Sequence, residues 1–211
     1  MKSVSQVELL AGSIFLIITL IACNSYADDD WIRQAYHDSI AAEQVENYGK
    51  AIDAMLPVLR AYPEAYTPNL RLGWLYYIDG RYRNSIVHYE QAIKAYSASL
   101  EARNGMMLPL LAQQKYAEVE QQAYHVLNVD YYNYFANLRL ATALLGQKKF
   151  KLASDVALKM TTINPTSVAF MQLLAQSYQG QGEIDKAAAV FNDVAILDPG
   201  NQTAAAFFTP Q

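Results

Sequence analysis

Residues Tyr66 to Ser99 read YTPNLRLGWLYYIDGRYRNSIVHYEQAIKAYSAS, and this stretch decides the fold. Leu72 and Tyr76 stand one helical turn apart, with the small Gly73 beside them. That spacing gives an apolar face with a thin spot where a second helix can approach. Gly80 marks a turn, and Tyr82 to Ala95 carries its own apolar spacing. The stretch is therefore a helical hairpin, and its phase extends in both directions. Tyr48, Tyr82, Tyr116, Phe150 and Ile184 recur every 34 residues. Ala51, Ser85, Val119, Ala153 and Ala187 follow three residues later. Pro63, Pro165 and Pro199 stop the second helix of their units, because proline cannot donate to the helical ladder. No insertion interrupts the count from Ile32 to Asn201. A period of this length means stacked helical hairpins.

The pattern resembles the tetratricopeptide repeat. Two units carry it best: Leu72-Gly73…Tyr76…Gly80-x-Tyr82…Tyr89…Ala92, and Leu174-Ala175…Tyr178…Gly182…Ala187…Phe191…Asp198-Pro199. The resemblance implies an all-α fold, a right-handed α-solenoid of five helix-turn-helix repeats. Their bounds are 32–65, 66–99, 100–133, 134–167 and 168–201, with 202–211 as a short tail or partial cap. The first unit departs most, with Asp38 and Ser39 at the leucine and glycine positions. Its first helix is expected to be short or partly covered. Gly146, Gly180 and Gly182 are assigned to the turns between paired helices.

Composition agrees with an interaction module. Hydrophobic residues make up 53% of the chain, enough for a continuous core. The net charge is −4 with no basic stripe, which gives no electrostatic footprint for nucleic acid. His37, His88 and His125 fall at unrelated repeat positions. No metal motif, P-loop or dinucleotide fingerprint occurs, so no metal, cofactor or catalytic residue is expected, and the chain reads as a non-enzyme. Glu118-x-Glu120 and Glu183-x-Asp185 suit helix starts better than acid–base work.

The N-terminus carries the second signal. Lys2 precedes an apolar run from Leu9 to Ala22, short of the roughly 20 residues that span a bilayer. Residues 1–22 read as a signal peptide. Leu20-Ile21-Ala22-Cys23 resembles the lipobox of bacterial lipoproteins, and Cys23 is the sole cysteine. The resemblance implies lipidation at Cys23, a membrane anchor and a tether over 23–31. Asn24 at the following position implies sorting to the outer membrane, facing the periplasm. Ordinary secretion, with cleavage after Ser25-Tyr26-Ala27, and retention as an uncleaved anchor stay open. Each reading places residues 28–211 outside the cytoplasm.

In the repeat family the first helices line a concave face. Here that face is expected to present Leu70, Trp74, Tyr77, Leu108, Leu111, Phe135 and Leu138, edged by Arg71, Arg103 and Arg139, with Gln176 where it turns polar. An apolar trough edged by arginine suits a protein partner offering a helix or an acidic peptide. The first function expected is an envelope scaffold, resembling small repeat lipoproteins that assist pilus, secretion or export machines. The alternative is a structural subunit that self-assembles end to end as a homo-oligomer or filament. A third reading is a polysaccharide- or lipid-handling module using Tyr131, Tyr132 and Tyr134 as a stacking patch.

Overall fold

The computed structural model describes residues 30–209, all of whose regular elements are helices. The chain divides into two compact units, one ending at Pro63 and one beginning at Glu64. The first unit holds α1 (30–44) and α2 (Tyr48–Ala61). Helix α1 starts before Ile32 and runs to residue 44, so the first helix is not short and the tether assigned to 23–31 overlaps it. Ser39 is fully buried and serves as the small contact residue that glycine provides elsewhere. Exposed Asp38 accepts a hydrogen bond at Oδ1 from Gln34 Nε2 at 2.7 Å. A polar side chain thus costs little at that position.

The second unit begins with the hairpins α3 (Tyr66–Ile78)–α4 (Tyr82–Ala95) and α5 (Leu100–Ala112)–α6 (Tyr116–Leu127). It continues with α7 (Tyr134–Gly146)–α8 (Phe150–Ile163) and α9 (Val168–Gly180)–α10 (Ile184–Leu197), and closes with α11 (Gln202–Phe208). Consecutive helices pack on each other, and α3, α5, α7 and α9 also touch in series. Within this unit α3, α5, α7 and α9 form the inner layer of a solenoid. The core between the layers falls into successive clusters, bridged by the partly buried Leu145, Val156, Tyr178 and Val190. Leu72 and Leu75 of α3, Met107 and Leu110 of α5, and Leu144 of α7 are almost wholly buried. Each such side chain stabilises the stack by roughly 1.5–3 kcal/mol.

The ends of the inner helices follow the same period. Ser99, Asn133 and Asn201 cap α5, α7 and α11 by accepting from Ala102, Ala136 and Ala204 backbone N–H groups at 2.9, 3.0 and 3.0 Å. An N-cap of this kind contributes about 1 kcal/mol. Helix α11 is an ordered continuation of this register, where the sequence alone suggests only a tail or partial cap. Its Phe207 ring packs 4.7 Å from Phe191.

The turns within hairpins share one backbone feature. Gly80 and Gly182 have φ of 77° and 78°, and the equivalent Glu46, Gln114 and Lys148 have φ of 57°, 57° and 59°. Left-handed backbone costs a residue with a Cβ about 1–2 kcal/mol. Glycine there loses part of that advantage, about 0.5–1 kcal/mol, through its freer unfolded chain. Gln114→Gly is therefore expected to raise the unfolding free energy by about 0.5–1 kcal/mol, read from urea melts. A lowered midpoint would mean that the glutamine side chain makes a contact worth more than the strain.

Gly146 and Gly180 do not lie in the turns. They are the last residues of α7 and α9. A Cβ on Gly146 would sit 2.5 Å from the Tyr116 ring, and one on Gly180 would sit 2.5 Å from the Phe150 ring. These glycines let the first residue of each outer helix pack beneath the inner helix of the next hairpin.

Candidate peptide-binding groove

The residues expected on the groove wall lie on α3, α5 and α7, which touch in series, and they differ in exposure. Leu70 and Leu111 pack partly on the central core, and Leu138 packs on the core beneath α9. These leucines give one side to the fold and the other to solvent. Trp74, Tyr77, Leu108 and Gln176 are half-buried, whereas Phe135 is 56% exposed. Trp74 and Tyr77 rings lie 5.8 Å apart, and Tyr77 continues to Tyr82 at 6.0 Å. The groove thus has an aromatic strip on α3 and a protruding phenylalanine on α7.

The three arginines expected along its edge part company. Arg103 turns outward: its guanidinium donates to Gln122 Oε1 at 2.8 Å and to the Ser97 carbonyl at 3.1 Å. It staples α5 to α6 and leaves the groove edge. Arg71 is half-buried on α3. Arg139 stays beside Phe135 on α7. Its guanidinium carbon lies 5.1 Å over the Phe135 ring, and Nη1 donates to Asn104 Oδ1 at 3.2 Å. No carboxylate of the described residues stands within ion-pair distance of it. Burial, its chief influence, lowers the Arg139 pKa from the ordinary guanidinium value, while nearby Tyr89 and Tyr77 act in the opposite direction.

Beneath this strip lies a feature that repeat-position reasoning overlooks. The Tyr89 ring comes from α4 and wedges between α3 and α5. A Cβ on Gly73 would sit 2.9 Å from it, and one on Gly105 would sit 2.7 Å from its hydroxyl. Sequence spacing marks Gly73 as the thin spot but does not mark Gly105. The available signal is Gly105 itself, standing at the repeat position that holds Arg71 and Arg139 in the neighbouring units.

A second cross-helix pattern links the fourth residue of an inner helix to the outer helix of its own hairpin. Asn69 Oδ1 meets His88 Nδ1 at 2.9 Å, and Arg103 meets Gln122. In the next unit the partner position is Val156, and the buried Asn137 Oδ1 is left without a hydrogen bond. His88 also stacks on Tyr76 at 5.2 Å. Burial holds its imidazole below the usual range. The sign follows from linkage: the unfolded chain binds a proton near pH 6.5 that the folded chain resists. Stability from neutral His88 is complete above about pH 6.5 and falls as pH drops toward the depressed folded value. His88→Gln is expected to flatten the pH–stability curve below about pH 6.5. An unchanged slope would assign the acid sensitivity to carboxylates.

Tyr131 and Tyr132 are exposed, and Lys159 Nζ lies 4.0 Å from the Tyr131 ring centroid. Tyr134 is used differently: its ring meets Phe170 at 5.1 Å and its hydroxyl bonds Ser167 Oγ at 3.2 Å. The three tyrosines therefore do not form one stacking surface. Among the described residues, no group of three His, Cys, Asp or Glu side chains stands together as a metal site. No described helix is long and apolar enough to cross a membrane. Cys23 and the signal-like segment 1–22 lie outside the described residues.

With four hairpins stacked on this plan, comparison with known proteins becomes specific. The family model of the tetratricopeptide repeat matches residues 39–99. Residues 39–99 thus carry tetratricopeptide repeats, and the later hairpins share their fold. The chain is similar to a segment of anaphase-promoting complex subunit 3 of Dictyostelium discoideum, 32% identical over 78 residues. That match covers 37% of this chain, and the chain spans 8% of the length of that relative. Among solved structures, MamA superposes with a TM-score of 0.72 at 16% identity, covering 87% of this chain and 98% of that one. MamA 41-end from Desulfovibrio magneticus RS-1 gives 0.75 at 16% identity, covering 82% and 98%. YrrB, described as a tetratricopeptide protein with an unusual peptide-binding site, gives 0.70 at 13% identity, covering 82% and 89%. Likeness at these identities carries the fold and no ligand. The repeats make the chain a protein-interaction scaffold in architecture.

Proposed function

We propose that the chain binds a peptide or helix of a protein partner in the groove of α3, α5 and α7, as a non-catalytic adaptor of the bacterial cell envelope. The observation that carries this reading is Arg139 beside exposed Phe135: a desolvated guanidinium with no carboxylate of its own among the described residues, next to an unburied aromatic ring. Folding alone gains little from that arrangement, whereas an acidic, apolar partner would satisfy both groups. Trp74 and Tyr77 add the aromatic anchors that interfaces favour. The envelope location rests on the signal-like N-terminus and Cys23, and assembly of a pilus, secretion or export machine is the role such an anchored scaffold would fill.

The test is a double substitution. Trp74→Ala with Phe135→Ala is expected to weaken capture of the cross-linked native partner on the order of 100-fold, since two anchors contribute roughly 1.5 kcal/mol or more each. Helical content is expected to hold, because neither side chain is fully buried. Undiminished capture would remove the groove from the interface.

End-to-end self-assembly is the second reading. Its support is the exposed apolar surface near the last hairpin, where Ile196 is 75% exposed and Phe208 is also uncovered. Light scattering of the full chain over a concentration series separates the two readings.

A further inference from the structure

We propose that Arg139 and the Tyr89 hydroxyl together form a subsite for a single carboxylate, opening into the groove beside Gly105. The proposal rests on the groove reading above and names the chemistry of one contact within it. Three observations place the two donors together. Arg139 Nη1 reaches Asn104, the residue next to Gly105, at 3.2 Å. The Tyr89 hydroxyl lies 2.7 Å from where a Gly105 Cβ would be. Between the arginine sites of α3 and α7, the equivalent position on α5 therefore carries no side chain, and a phenol tip fills its base from below. A guanidinium and a hydroxyl thus meet on one turn of α5.

Both groups have capacity to spare. Among the described residues Arg139 bonds a neutral amide and an aromatic face, and a guanidinium carries five N–H donors. Tyr89 is 2% exposed, and its hydroxyl, which has no hydrogen-bond partner among the described residues, lies beside the half-buried Gly105. The carboxylate on the same helix, Glu101, is engaged by the Tyr66 hydroxyl at 3.2 Å. Burial raises the Tyr89 hydroxyl well above the usual phenol range, so it remains a neutral donor at physiological pH. One fixed positive charge with one neutral donor balances a monoanion. A phosphate dianion would call for a second cation, and Arg103 has turned away to Gln122. The carboxylate can come from an Asp or Glu side chain or from a chain terminus, and the experiment distinguishes them.

The probe is an array of peptides about 15 residues long, of mixed apolar and acidic sequence, offered to the full chain. Every peptide is present with Asp and Glu, with Asn and Gln in their place, and with free or amidated C-termini. Captured peptides are expected to lose about tenfold in affinity when the recognised carboxylate becomes an amide. Loss on side-chain amidation identifies an internal acid, and loss on terminal amidation identifies a C-terminus. Arg139→Gln and Tyr89→Phe should each bring the acid and amide forms to within about twofold. Tyr89→Phe keeps the ring wedged between the glycines, so its fold is preserved. Arg139→Gln should also raise the thermal midpoint, because it removes a desolvated, unpaired charge. Equal capture of acid and amide forms by the unmodified protein would overturn the subsite while leaving the groove standing. So would an acid preference that survives both substitutions. Capture of no peptide at all would overturn the groove reading and the subsite with it.

Discussion

Gly105→Leu is expected to lower the unfolding free energy by about 2 kcal/mol, and Tyr89→Ala in the same chain to restore part of the loss. The Tyr89 ring is held between α3 and α5, and even a methyl group on Gly105 would overlap it. Overpacking a fixed core position costs about 1–3 kcal/mol, and the upper end applies where the obstructing ring is rigid and buried. Removing a helical glycine returns up to about 1 kcal/mol of backbone propensity. The clash exceeds that gain. Gly49 supplies the control, because it lies in α2 with no heavy atom within 4 Å of where a methyl group would sit. Gly49→Ala should therefore stabilise the chain by a few tenths of a kcal/mol or more, up to about 1. Urea denaturation of the single and double variants gives the coupling between positions 89 and 105 directly. Additive effects would show that the ring and the glycine do not meet.

Cys23→Ala is expected to shift the protein from the membrane fraction to an uncleaved or released form. One acyl chain gives only marginal, reversible membrane affinity, on the order of 10⁴ M⁻¹, and two chains anchor stably. A diacylated Cys23 would hold nearly every molecule at the bilayer, so the expected change is close to complete. Intact-mass measurement of detergent-extracted protein should show a mature chain starting at Cys23 with a diacylglycerol-sized addition. A soluble mature chain starting at Asp28 would replace the lipoprotein reading with ordinary secretion.

The architecture is legible in the sequence because one constraint repeats. Leu72, Leu140 and Leu174 sit at the same repeat position and are all buried, and Pro63, Pro165 and Pro199 each follow a helix end by two residues. Counting also picks out α3, α5 and α7 as helices that touch in series. What counting does not yield is direction. It places Arg103 and Arg139 alike beside the groove, but a side chain's destination depends on its reach. Gln122 captures the first and Asn104 the second. Gly146 and Gly180 read as turn residues because glycine is a turn former. Here the Tyr116 and Phe150 rings need the space above them, and that need arises only once neighbouring hairpins are stacked. The Tyr89 wedge is hidden for the same reason, since it joins three helices through residues 16 positions away on either side.

The serial packing of the second unit, in which each hairpin rests chiefly on its neighbours, has a mechanical consequence. Among the described helices, no extensive contact ties α3 to α9 or α5 to α11. Force applied along the stack would therefore be borne by one interface at a time. The unit should lengthen in steps, each releasing a hairpin of about 34 residues and adding up to roughly 3.3–3.6 Å per residue. A scaffold built this way can yield under load and recoil without losing the rest of its fold.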